Sequence, residues 1–191
     1  LIQTEFNRNL DMYGEKIQCK KGCSKCCSQI FRITKLDGWM ISEHVKSLPE
    51  MQRTKLKQKA LEYNKALPLA KSPGPALTRG DLEGGLPCPA LGTEGECTIY
   101  EARPVICRRF GMPIYDYKYP NSVHACELNF RDGEEIDDDK LIPNQTDIGM
   151  KWDELKDEFN TKLPHTGLPV QSGGETEGFD WTTIAEAILE A

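Results

Sequence analysis

Apolar residues recur at steps of three and four near the start of the chain. They are Ile2, Phe6, Leu10, Tyr13 and Ile17. This spacing places the five side chains on one stripe of an amphipathic helix. The pattern therefore predicts a first helix over residues 2–18, which leads directly to Cys19.

Two further helices are predicted between residues 34 and 67. The hydroxyl of Thr34 is suited to cap the first, which runs to about Leu48. Pro49 opens the second, which runs from Glu50 to about Leu67. One flank of this helix is basic, and we expect it to be solvated. The flank consists of Arg53, Lys55, Lys57 and Lys59.

The second half of the chain predicts shorter elements and loops. Residues 68–89 are rich in Pro and Gly and predict a long loop that returns Cys88 to the first cysteines. Pro104 suits the first position of a short helix that carries Cys107. The alternating "IYDYKY" predicts a short strand. Two more helices are predicted. The first is marked by the apolar residues Ile148, Trp152, Leu155 and Phe159. The second is capped by Asp180 and carries Trp181, Ile184, Ala185 and Ile188.

Together these patterns predict a mostly α-helical fold. The chain lacks the alternation of strands and helices of an α/β protein, so we expect a small irregular helical domain with long loops, organised around a cysteine-ligated metal centre, and one short β-hairpin at most. A length of 191 residues suits a single domain. Its cysteine-cluster core is expected at about residues 19–130 and a C-terminal helical extension at about 131–191.

Charge and hydropathy exclude some partners. A formal net charge of -6 disfavours a nucleic-acid-binding surface. No apolar run approaches the roughly 18 residues that span a bilayer. We expect a protein partner, and a cytoplasmic location, or a reducing organelle compartment if a targeting segment was removed.

The chain contains eight cysteines, Cys19, Cys23, Cys26, Cys27, Cys88, Cys97, Cys107 and Cys126. A secreted disulfide framework is one reading of an even number. Disulfide-dense folds are usually shorter than about 80 residues, however, because the cross-links replace a missing core. The cysteines are therefore interpreted as reduced metal ligands.

The spacing of the first four cysteines limits the metal. Cys23 and Cys26 form the C-x2-C turn typical of zinc sites. Gly22 favours a looped backbone, and a looped C-x3-C-x2-C can bind three corners of a 4Fe-4S cube. The side chains of adjacent residues diverge, so either only one of Cys26 and Cys27 is a ligand or two metal centres are present. The four distant thiols suffice for two four-thiolate sites or for one cluster and one zinc.

Enzymatic alternatives find little support. C-x3-C-x2-C is also the signature of radical S-adenosylmethionine enzymes, but the chain lacks their βα pattern. A cysteine nucleophile needs a base, for which His124 is the histidine nearest to a cysteine, and the spacing gives no support for that pair. The residues reveal no catalytic constellation.

Three segments taken together, "CKKGCSKCC", "LPCPAL" and "GECTIYEARPVICRRF", resemble the YkgJ-type cysteine-cluster family of zinc- or iron-chelating domains. The resemblance covers about residues 19–130. It implies that seven cysteines from Cys19 to Cys107 are metal ligands, with Cys126 as an eighth, and that Arg103, Pro104 and Arg108 belong to the family's R-P-x-x-C-R element. Larger relatives include flagellin lysine N-methylases, so the resemblance permits a methyl-transfer role.

The sequence thus predicts a metal-binding protein whose thiolates hold a 4Fe-4S cluster or one or two zinc ions. The looped spacing slightly favours iron–sulfur, with an electron-transfer or redox role. The alternatives are a structural zinc module that mediates protein–protein interaction, or an accessory to a protein methyltransferase. An oxidoreductase or methyl-transfer activity would follow from the resemblance alone.

Overall fold

A computed structural model describes residues 1–20, 22–30, 32–67, 86–120, 123–131, 135–162 and 181–191. Its α-helices are α1 (Ile2–Tyr13), α2 (Lys35–Ser47), α3 (Glu50–Ala66), α4 (Val105–Arg109), α5 (Leu141–Lys162) and α6 (Ile184–Leu189). Its strands are β1 (Ile33–Thr34), β2 (Ile114–Tyr115), β3 (Val123–His124) and β4 (Trp181–Thr182). Two 3-10 turns span Lys25–Ser28 and Tyr100–Ala102. The predicted fold class, mostly α with a short hairpin, is confirmed.

The described residues group into two compact units. Unit 1 lies within Leu1–Lys20 and Val105–Gly167, and unit 2 within Lys21–Pro104 and Leu168–Ala191. The single domain over residues 1–191 stays a prediction. Among the described helices, none combines the length and apolar character needed to span a bilayer.

In unit 1 the first helix is shorter than predicted and buries polar residues beside the predicted apolar stripe. Helix α1 ends at Tyr13, whose carbonyl accepts from the N–H groups of Lys16 and Ile17 in a closing turn. The residues that α1 buries are Glu5, Asn9 and Tyr13. Of the predicted apolar stripe, Tyr13 and Ile17 are buried and Ile2, Phe6 and Leu10 are half-buried, and a polar network of Glu5 and Asn9 lies beside them.

Glu5 is the centre of that network. Its carboxylate accepts from Arg8 at 2.6 Å, from Asn9 at 2.9 Å and from Asn144 of α5 at 2.6 Å. Burial would raise the pKa of Glu5, but these hydrogen bonds hold it below its ordinary value. A buried carboxylate with this many donors stays charged and fixes α1 to α5.

The rest of unit 1 follows the prediction closely. Strands β2 and β3 form an antiparallel hairpin with Ile114 opposite His124. Helix α5 contains the predicted apolar positions and begins earlier, at Leu141. The guanidinium of Arg109, at the end of α4, donates to the Tyr115 carbonyl and to Gln145 of α5, at 2.8 Å each.

Unit 2 is built on helices α2, α3 and α6. The side chain of Thr34 accepts from the Asp37 N–H at 3.1 Å, which confirms the predicted cap of α2. Helix α6 packs against both α2 and α3. The side chains at the centre of this core are Ile41, Val45, Ala60, Ala185 and Ile188, all 0% exposed.

The C-terminal residues of unit 2 differ from the prediction. Strand β4 pairs antiparallel with β1, with Thr182 opposite Ile33. Trp181 therefore lies in a strand, and its placement on the last helix was wrong. Helix α6 is capped by Thr183 in a capping box with Glu186, while Asp180, the predicted cap, lies outside the described residues. So do residues 68–85 of the predicted loop.

Candidate metal centre

The loop that carries the clustered cysteines of unit 2 is not α-helical. Gly22 has a φ of 91°, in the left-handed region that favours glycine. Cys26 and Cys27 then lie in the 3-10 turn Lys25–Ser28. The looped backbone that the sequence predicted is therefore present on both sides of Cys23.

Cys26 and Cys27 face each other more closely than expected for adjacent residues. Hydrogen bonding with the Cys27 thiol, followed by burial, strongly raises the pKa of Cys26. The charge of Arg103 acts in the opposite direction. The two thiols therefore interact with each other and belong to one local group, and whether one or both are ligands stays a prediction.

Cys88 joins this group through its main chain. Its N–H donates to the Cys27 carbonyl at 2.7 Å, across 61 positions of sequence (88 − 27). The N–H of Leu91 donates to the Cys88 carbonyl at 2.9 Å and closes the turn "CPAL". Leu91 also forms an isolated antiparallel bridge with Cys97. The backbone thus links Cys27, Cys88 and Cys97 in one place.

The thiol groups of Cys26, Cys88 and Cys97 interact electrostatically. Burial, with smaller contributions from the charges of Cys97 and Cys26, raises the pKa of Cys88 to about 11, against the opposing effects of the Ala90 N–H and the Lys59 ammonium. Burial also raises the pKa of Tyr63 to about 12, with Cys88 adding to the effect. Several thiolates can therefore coexist here only with a cation that offsets their charge.

Cys23 is connected to the same place through two glycines. A Cβ added at Gly95 would lie 3.0 Å from the carbonyl oxygen of Gly22. Gly95 precedes Cys97 in a turn with a φ of 79°. Unit 2 therefore contributes five of the predicted ligands: Cys23, Cys26, Cys27, Cys88 and Cys97.

The remaining three predicted ligands, Cys19, Cys107 and Cys126, belong to unit 1. The Cys19 thiol lies 3.9 Å from the Phe110 carbonyl oxygen. A Cβ added at Gly111 would meet the Cys19 sulfur at 2.5 Å, so only glycine fits there. Cys107 lies in α4, as predicted, and all three side chains are half-buried.

Asn129 organises the backbone around two of these cysteines. It is 4% exposed. Its side chain accepts from the Gln18 N–H at 2.8 Å and donates to the Gly111 carbonyl at 3.1 Å, and its own N–H donates to the Cys126 carbonyl at 2.8 Å. Asn129 therefore connects the segments before Cys19, after α4 and after Cys126 through its side chain and its main-chain N–H.

The donor set is soft. Thiolates select zinc and iron–sulfur clusters over magnesium or calcium, so the residues of unit 2 fit the predicted metals in chemistry. Among the described residues, no three His, Cys, Asp or Glu side chains are arranged to hold one ion. His124 is exposed in β3, His44 is half-buried, and His165 lies outside the described residues. The eight-cysteine ligand set stays a prediction.

Sequence reasoning missed several residues that shape the site. Gly95 and Asn129 act through contacts far along the chain, and no local pattern marks them. Lys59 was assigned to a solvated flank, yet it is half-buried and donates to the Leu91 carbonyl. Only its position on α3, at the border of the buried stripe of Leu56 and Ala60, could have been recognised from the sequence.

Comparison with known proteins gives the family. The model of the CxxCxxCC family, described as "Putative zinc- or iron-chelating domain", matches residues 18–127, which is more than half of the chain. The chain belongs to this family. The match spans all eight cysteines and supports metal binding as the function class, with zinc or iron as the metal. No curated protein and no solved structure matches the chain.

Proposed function

We propose that the thiols of unit 2 form a thiolate-only metal centre with Cys26, Cys88 and Cys97 as its central ligands. The observation that supports this most directly is the main-chain linkage, in which the Cys88 N–H donates to the Cys27 carbonyl at 2.7 Å and Leu91 forms a bridge with Cys97. The charges of Cys97 and Cys26 also act on Cys88. Cys23 adjoins this group and supplies the fourth thiolate, while Cys27 lies beside Cys26 as a neighbour of the centre. Neutral thiols in such a half-buried place would lose their protons on binding metal, which couples metal binding to pH.

A 4Fe-4S cluster is the first choice for this centre. The backbone from Gly22 to Ser28 loops and then forms a 3-10 turn, which suits ligands at the corners of a cluster better than one α-helical face would. When bound, such a cluster supplies one-electron redox chemistry. The chain's own part is to hold the thiolates, to limit solvent at Cys88 and to provide the charge of Arg103 and Lys59.

The deciding experiment is anaerobic purification followed by analysis of iron, zinc and acid-labile sulfide, with a visible absorption spectrum. Iron and sulfide in equal amounts with a broad thiolate-to-iron band support the cluster. Zinc without sulfide supports the alternative metal. Metal-free protein with disulfides among the eight cysteines would overturn the proposal altogether.

A structural zinc module that binds a protein partner is the second candidate. It is favoured by large aromatic side chains that unit 2 leaves exposed: Trp39 at 48%, Tyr100 at 53% and Trp181 at 45%. Exposed aromatic residues of this size are common at protein interfaces. This candidate predicts zinc as the bound metal and no change of the spectrum on adding a reductant such as dithionite.

A further inference from the structure

Lys59 lies outside the cysteine motifs but contacts the loop between two proposed ligands. It belongs to α3, where its neighbour Ala60 is fully buried and Leu56 is 5% exposed. This packing fixes the backbone on which Lys59 stands. Its ammonium donates to the main-chain carbonyl of Leu91.

Leu91 occupies a central position in that loop. Its N–H bonds to Cys88, and its bridge partner is Cys97. A hydrogen bond to the Leu91 carbonyl therefore restrains both cysteines at once. Thr98 restrains the same turn from another side, since its N–H and its hydroxyl both donate to the Ala90 carbonyl at 2.8 Å.

The Lys59 ammonium also brings a positive charge close to the proposed thiolate ligands, which carry negative charge when metal is bound. A four-thiolate zinc or iron–sulfur site carries a net negative charge, which nearby cations and hydrogen-bond donors stabilise. Lys59 and Cys88 line the same surface cavity, so the ammonium lies near this ligand. Lys59 thus combines a geometric and an electrostatic effect on one ligand.

We propose that Lys59 is a positioning residue of the metal centre, which holds the Cys88 and Cys97 loops in their ligating arrangement and offsets thiolate charge. The inference rests on the proposed function. Residues that act on ligands in this way typically change metal affinity by about 10- to 100-fold when they are removed.

The test compares Lys59→Met with Lys59→Arg and with the control Lys55→Met, an exposed position on the same helix. Metal affinity is measured by competition with a chelator, and amide exchange at Leu91 and Thr98 is measured after metal removal. We expect Lys59→Met to bind metal about tenfold more weakly than the parent protein and its Leu91 amide to exchange faster. Lys59→Arg should restore most of the metal affinity and most of the amide protection. Lys55→Met should match the parent protein.

The outcomes separate the two proposals. If the parent protein binds metal and Lys59→Met binds it equally well, the inference is overturned while the proposed function stands. If Lys59→Arg is as impaired as Lys59→Met, the residue acts through the packing of α3, and the inference is again overturned. A parent protein that retains neither zinc nor iron overturns the proposed function and the inference with it.

Discussion

The main chain of Gly95 lies against that of Gly22, so that a Cβ on Gly95 would be 3.0 Å from the Gly22 carbonyl oxygen. Gly22 directly precedes Cys23, and Gly95 stands in the turn before Cys97. The contact therefore brings two ligand loops of unit 2 together at positions where neither residue has a side chain.

Gly95→Ala is expected to destabilise this arrangement. The left-handed backbone costs a residue with a Cβ about 1–2 kcal/mol, and the contact with Gly22 adds to that cost. Gly22→Ala is the matched control, because its φ of 91° gives the same strain while its Cβ would have nothing within 4 Å. Urea unfolding should show a larger loss for Gly95→Ala. Equal losses would mean that the contact between the loops contributes nothing.

Cys26→Ser and Cys27→Ser are expected to differ. The charge of Cys26 acts on Cys88, whereas Cys27 acts on Cys26. Cys26→Ser should therefore lose most of the bound metal, and Cys27→Ser should retain most of it. Metal content per chain after identical purification decides the matter. Complete and equal loss from both variants would contradict this ranking and make both residues ligands.

The stability of unit 1 should depend on pH through Asp153. Burial alone would raise the pKa of this carboxyl, but hydrogen bonds from Lys118, Lys156 and Tyr117 lower it to about 2. Since the folded pKa lies below the unfolded value of about 3.9, the stabilisation is complete above pH 4. It is lost as the pH falls toward about 2.

Asp153→Asn should accordingly cost about 1 kcal/mol near neutral pH, after allowance for solvent screening, and progressively less below pH 4. Denaturant unfolding at several pH values measures the difference from the parent protein. Asp147→Asn is the control, since its ion pair with Lys151 is half exposed and should have little effect at any pH. A penalty at Asp153 that is constant from pH 7 to pH 2 would contradict the assignment.

Metal removal should loosen the loops of unit 2 before it affects α5. Ligands from residues 23–27 and 88–97 close a long stretch of chain, so metal binding supplies part of the folding free energy there. Helix α5 is held by Glu5 through Asn144 and by Arg109 through Gln145, none of which is a ligand. Hydrogen exchange with and without a chelator tests this. Unchanged protection at residues 86–99 would show that the loops fold without metal.

Features set by neighbouring residues could be predicted from the sequence. The Thr34 cap, the extent of α2 and α3, the presence of α5 and the looped backbone near Gly22 all follow from local chemistry. The family match to residues 18–127 likewise agrees with the resemblance based on the cysteine motifs.

Features that depend on distant partners could not be predicted. Trp181 looked helical because its neighbours are periodic, but the pairing of Thr182 with Ile33 places it in a strand. The polar residues of α1 find partners elsewhere in unit 1, since Asn144 donates to Glu5 and Arg8 donates to Asp138. Lys59 looked solvated because the Leu91 carbonyl lies 32 positions away in sequence.

Helix α2 approaches the C-terminal residues so closely that a Cβ at Gly38 would meet the Thr182 methyl group at 2.7 Å and the Ala187 side chain at 3.7 Å. The region that defines the family ends at residue 127, yet the helical core formed by α2 and α3 of unit 2 is completed by β4 and α6. A recombinant fragment cut to the family boundaries would leave Ile41 and Val45 uncovered. Poor metal retention by such a fragment would then result from the loss of β4 and α6, and it would not show that the cysteines are poor ligands.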